Sequence, residues 1–211
     1  RSEDVEVFFA GEAPNLFLGI LDSPEANLLS YAVFSAGKHP TTSIYLHSLV
    51  PGAFPRLLLR DIEGSFVPFF AQCQLFAYTD FAAPNFRIVR IALDDPDPKH
   101  WRDVVPEIDR RIQQFTVAGD RIFVTRIDRF STEVEAFGIP DGERKNAPCS
   151  PHGTIDLLNP TNRSDSLFYS HTSIAQPTTV YCYSTRDDKS CLWQEPNVPF
   201  DPSFIAVEET S

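Results

Sequence analysis

Three observations predict an all-β chain built of propeller blades, each of four antiparallel strands. Eighteen prolines are scattered so that few windows of helical length escape interruption. What recurs instead is short β-rich runs separated by turn residues. Those runs group in fours, and successive groups open near Leu16, Ser65, Ile112 and Gly153, a spacing of roughly forty to fifty residues. An immunoglobulin-like sandwich calls for about seven strands and shows no such period.

Taken in order, Val5–Phe9 reads as the outer strand of a blade whose other strands lie upstream. The first full blade comprises Leu16–Leu21, Leu28–Phe34, Ser43–Leu49 and Arg56–Leu59. The second holds Phe66–Phe70, Gln74–Thr79, Phe86–Leu93 and Trp101–Val105. The third holds Gln113–Ala118, Arg121–Arg126, Glu133–Ile139 and a weak strand near Asn146–Cys149. Gly153–Leu158, Ser166–Thr172, Thr178–Ser184, Cys191–Gln194 and a final Phe204–Glu208 complete the chain. Turns such as Ala118-Gly119-Asp120-Arg121 and Pro140-Asp141-Gly142 fall where strand alternation stops. The blades lie near 1–60, 61–107, 108–150 and 151–211. Four blades suit an open arc, with a small closed ring as the alternative. An open arc exposes apolar faces on its terminal blades, which predicts marginal stability or self-association through them.

The charge balance narrows the partners. Against 18 Lys and Arg stand 29 Asp and Glu in 211 residues, a net charge of −11, which repels nucleic acid and anionic membranes alike. Hydrophobic residues at 42 % and aromatics at 12 % are too abundant for a disordered chain. No apolar run approaches the roughly 18–20 residues of a membrane-spanning helix. The chain begins at Arg1, shows no signal segment and contains no methionine, so it is expected to be an internal fragment. Cytoplasm or periplasm is the expected compartment.

Catalytic signatures are missing from the sequence. A serine nucleophile on a strained strand-to-helix elbow needs Gly-x-Ser-x-Gly, and none of the nine glycines bracket a serine in that way. Their spacing also excludes a phosphate-cradling Gly-rich loop, and no cofactor is expected. His39, His47, His100, His152 and His171 lie at no compact ligand spacing, so no metal site is expected; His171 falls within a strand and reads as a structural histidine. Asp94-Asp95-Pro96-Asp97-Pro98 reads as a solvated turn rather than a cation site. Asn162-Arg163-Ser164 has the N-glycosylation pattern. Of four cysteines, Cys182 and Cys191 stand equidistant from a turn at Arg186-Asp187, facing each other across a hairpin. That position allows a disulfide; two unpaired thiols in a reducing compartment are the alternative.

One stretch carries a family likeness. Ala77-Tyr78-Thr79-Asp80-Phe81-Ala82-Ala83-Pro84-Asn85-Phe86-Arg87-Ile88-Val89-Arg90-Ile91 resembles the propeller of the prolyl oligopeptidase family, where an Ala-Pro and an aromatic-Arg precede an apolar strand. Pro98, Trp101 and Val105-Pro106-Glu107 continue the likeness in order and spacing. His171-Thr172-Ser173-Ile174 with Pro177 and Val180-Tyr181, and the opening Val5–Leu21, agree as well. The closing Phe204–Thr210 is similar to the strand that leaves the propeller. Asp80 departs from the family's usual Asn, and the third blade matches poorly.

The resemblance implies a seven-bladed, unlatched propeller covering an α/β-hydrolase domain. In that domain a serine, activated by a carboxylate-oriented histidine, cleaves short peptides after proline. On this reading the chain supplies about four blades and nothing of the catalytic domain. Its partners are the hydrolase domain of the parent chain and short proline-containing peptides, which the propeller admits while excluding folded proteins. Ser35-Ala36-Gly37-Lys38-His39-Pro40 joins the second and third strands of the first full blade. In the family the equivalent loop lies toward the hydrolase domain, so by position Lys38 and His39, whose identities depart from the family's, would face substrate, with Lys38 attracting a peptide carboxylate; a solvated β-turn with exposed side chains is the alternative. The alternative is a free-standing propeller serving as an interaction or glycan-binding module, supported by the aromatic content and the lack of a catalytic constellation.

Overall fold

The computed structural model describes residues 6–129, 131–148, 152–158 and 164–197. Two compact units divide the chain, 1–107 and 108–211. Each holds two four-stranded antiparallel sheets, and every sheet is a meander in which sequential strands pair side by side.

In the first unit, one sheet runs β1 (Leu16–Ser23), β2 (Leu28–Ser35), β3 (Thr41–Ser48) and β4 (Arg56–Glu63). The next runs β5 (Phe66–Ala71), β6 (Gln74–Thr79), β7 (Arg87–Ile91) and β8 (Arg102–Val105). The two sheets share one apolar core. Ile44, Leu46, Leu58 and Leu59 of the first meet Phe66, Leu75, Val89 and Ile91 of the second. Each such side chain contributes on the order of 1.5–3 kcal/mol when fully buried. Pro68 lacks the N–H that a central strand must donate, and β5 is an edge strand, where that lack is tolerated. Gln72 and Cys73, both at positive φ, form the two-residue β5–β6 turn without any glycine.

The second unit repeats the plan with β9 (Ile112–Ala118), β10 (Arg121–Asp128), β11 (Ser131–Gly138) and β12 (Arg144–Lys145). Its partner sheet holds β13 (Thr154–Leu157), β14 (Ser166–Thr172), β15 (Thr179–Ser184) and β16 (Lys189–Gln194). Ala118, Phe123 and Ala136 pack on Ile155, Leu167, Tyr169 and Tyr183. Gly119 turns β9 into β10 at φ 58°, and a Cβ there would lie 2.6 Å from Thr185 Oγ1, so the close approach of the two sheets requires glycine.

The predicted four-strand grouping is therefore present, with three corrections. Residues 6–9 form no strand. Instead of entering a ladder, Phe8 stacks on Tyr31, with ring centroids 4.3 Å apart, and tilts against Tyr45. The fourth strand of the third group is Arg144–Lys145, not a segment near Asn146–Cys149. There Asn146 turns its amide to Asp188 at 2.8 Å, and Pro148 has no N–H to donate. The strand read as Phe86–Leu93 shrinks to Arg87–Ile91 because Phe86 sits at φ 65° and stacks on Tyr78. Cys149, Asn162, Arg163 and the Phe204–Glu208 strand lie outside the described residues.

Candidate functional site

The β2–β3 loop carries Lys38 and His39, both exposed. Its ends are fixed while its tip is free. At one end Ala36 N donates to Asn15 O at 2.9 Å, and Asn15 Nδ2 donates to Ala36 O at 2.5 Å and to Ser35 Oγ at 3.3 Å. At the other, Gly64 N donates to Pro40 O at 3.0 Å. The entry to β1 and the β4–β5 connection thus clamp a five-residue tip that presents one ammonium and one imidazole to solvent.

The hairpin of β15 and β16 brings Cys182 and Cys191 directly opposite each other in register. Both thiols are free, and Cys191 Sγ lies 3.4 Å from Cys182 O. Burial pushes the Cys182 thiol up from its ordinary pKa, so the more exposed Cys191 is the more accessible thiol. Close by, Phe168 and Trp193 meet edge to face with centroids 5.0 Å apart.

The most heavily bonded polar cluster was not foreseen. Arg121 is 8 % exposed. Its guanidinium donates to Asp188 Oδ1 at 2.5 Å, Thr185 O at 2.7 Å, Asn146 O at 2.9 Å and the Tyr183 hydroxyl at 3.2 Å. Burial, joined by the neighbouring Asp188 carboxylate, pushes the Tyr183 phenol up to about 12. Hydrogen bonds from Asn146, then Arg121 and Tyr183, lower Asp188 to about 2. Every member has a partner, which fits a clamp between two sheets rather than a reactive group awaiting substrate. The sequence shows the two turns involved, but the 67-residue separation of Arg121 and Asp188 hides their meeting.

A second buried pair belongs to the same structural class. Arg126, 1 % exposed, donates from Nε to Glu135 Oε2 at 3.0 Å, and Glu135 also receives Arg144 at 2.6 Å. A cavity of about 720 Å³ opens over these strands, lined by Glu133, Glu135, Arg144, Lys145 and His152 among others. Its carboxylates are already engaged, Glu133 by Arg110 at 2.6 Å and Glu135 by the two arginines. His171 is buried in β14, its Nε2 3.2 Å from His152 O, which agrees with a structural role.

Four-stranded meanders of this kind are the blades of a β-propeller. The chain belongs to the family described as "Prolyl oligopeptidase, N-terminal beta-propeller domain", whose model matches residues 1–196. Among curated relatives, the prolyl endopeptidase of Elizabethkingia miricola is 26 % identical over 135 residues, covering 64 % of this chain and 19 % of the relative. The prolyl endopeptidase of Elizabethkingia meningoseptica is 26 % identical over 136 residues with the same coverage. The chain thus matches about a fifth of the length of these relatives. Among solved structures, prolyl oligopeptidase B from Galerina marginata superposes with a TM-score of 0.77 at 17 % identity, over 96 % of this chain and 29 % of that one. Oligopeptidase B from Trypanosoma brucei gives 0.70 at 15 % identity, over 91 % and 29 %. At these identities the structural likeness shows the fold alone.

Proposed function

We propose that the chain is the substrate-admitting propeller portion of a prolyl-oligopeptidase-like serine peptidase that cleaves short peptides after proline. The blades would lie near 1–60, 61–107, 108–150 and 151–211, within a larger propeller. The observation that carries this reading is the family match across residues 1–196, joined to relatives that are prolyl endopeptidases. The propeller does not break the bond on this reading; it selects by size and presents charge to the entering peptide. Lys38 and His39 are the residues assigned to that contact, since they project from a loop whose ends are clamped.

Lys38→Ala in the parent peptidase tests the assignment. An exposed ammonium attracting a carboxylate is worth about 0.2–1 kcal/mol. The KM for a short acidic proline peptide should therefore rise by about 1.4-fold to fivefold, with kcat unchanged. An unchanged KM removes Lys38 from the substrate path.

A further inference from the structure

Strands β7 and β8 hold a cluster of cations that nothing in the peptidase reading uses. Arg90 and Arg102 are directly opposed partners across these strands, so both side chains leave the same face of the sheet. Like charges in that relation repel. Neither guanidinium meets a carboxylate among the described residues. Among the described residues, Arg90 Nη1 donates only to the neutral amide oxygen of Gln74, at 3.4 Å, and the exposed Arg102 has no hydrogen bond or ion pair. Arg87, on the same strand β7, shows the ordinary arrangement, pairing with Asp103 at 3.0 Å.

His100 stands two residues before Arg102, its Nδ1 2.8 Å from Asp95 Oδ2, and this carboxylate favours the imidazolium. Arg90, Arg102, His100, Asp95 and Ala92 together line a cavity of about 470 Å³. That volume falls in the range of small-molecule sites, about 300–1,000 Å³. Asp97 on the adjacent loop accepts from Lys99 N at 2.9 Å, and its charge also favours the imidazolium. Arg90 and Arg102 place positive charge in this cavity, on a chain whose net charge is −11.

We propose that this cavity binds a phosphate-class dianion, either free phosphate or a phosphomonoester. Two guanidinium forks suit the tetrahedral oxygens of phosphate, each fork donating a pair of N–H groups. Phosphate also offers more acceptor oxygens than a single carboxylate, enough to receive both forks. Binding also relieves the repulsion between Arg90 and Arg102.

The full chain should be titrated with inorganic phosphate and, separately, with O-phosphoserine at constant ionic strength, followed by calorimetry. Saturable binding near one equivalent with a millimolar Kd is expected, weakened about tenfold by Arg102→Gln and by Arg90→Gln, each of which removes a charged donor fork. Arg102 is exposed on an edge strand, so its variant should fold. Arg102→Lys, which keeps charge but loses the fork, provides a second variant and should fall between. Equal affinity for the two anions identifies free phosphate as the ligand, and a tenfold preference for O-phosphoserine identifies a phosphorylated molecule. Failure of both anions to saturate, or wild-type affinity in Arg102→Gln, overturns the proposal.

Discussion

Arg121 shows how much a single side chain can join. Four acceptors from three segments converge on one guanidinium, and the pH dependence of the second unit follows from them. The folded chain holds Asp188 at about 2 against an ordinary 3.8, so it binds that proton less readily than the unfolded chain. The resulting contribution is present above about pH 4 and is lost as pH falls toward 2. Denaturant unfolding across pH 2–6 should show a steeper acid loss in the wild type than in Asp188→Asn; equal slopes would remove Asp188 from the clamp. Asp80 makes a related point. The resemblance leads one to expect Asn here, and the contact Asp80 makes needs only an acceptor oxygen, taken by Ser65 N at 2.7 Å. Other residues that carry the resemblance also tie the second sheet together: Trp101 Nε1 bonds Pro96 O, and Asn85 N bonds Glu107 Oε1. Those residues were legible through the family likeness rather than through their contacts, which span 15 and 22 residues at Asp80 and Asn85. Arg121 was not, because its partners are distant in sequence.

At the level of elements, strands were readable wherever alternation and turn chemistry agreed. The hairpin around Arg186-Asp187 is one case, with Ser184 opposite Lys189 and Cys182 opposite Cys191. Reading failed where an aromatic ring found a better partner than a ladder, as Phe8 did on Tyr31. It failed again where a side chain left its strand, as Asn146 did for Asp188. The β5–β6 turn was opaque in its chemistry, since Gln72 and Cys73 adopt conformations for which glycine or asparagine is the usual signal. The facing cysteines support a redox prediction. Hydrogen peroxide should oxidise the exposed Cys191 to a sulfenic acid with release of water. Attack by Cys182 then forms the disulfide and releases a second water, so that two thiols lose two electrons to the peroxide. Peptide mapping by mass spectrometry should find Cys182 linked to Cys191, and linkage of either to another cysteine would contradict the register.

For the whole molecule, two levels of inference meet. Periodicity and proline spacing reach as far as four-stranded blades, because a meander repeats its pattern whatever its function. Membership of the prolyl oligopeptidase propeller family rests on the ordered motifs and the match over residues 1–196. The candidate site was less legible than the fold. Lys38 and His39 follow from the position of a loop, whereas the Arg90–Arg102 cluster depends on strand register that composition does not carry. The chain covers about a fifth of its curated relatives, so the peptidase reading makes a demand on what adjoins it. Determining the coding sequence beyond Ser211 meets that demand most directly. The account predicts an α/β-hydrolase domain with a Gly-x-Ser-x-Gly elbow, followed by the aspartate and histidine of a triad. A stop codon close after Ser211 would contradict it and leave the blades as a binding module.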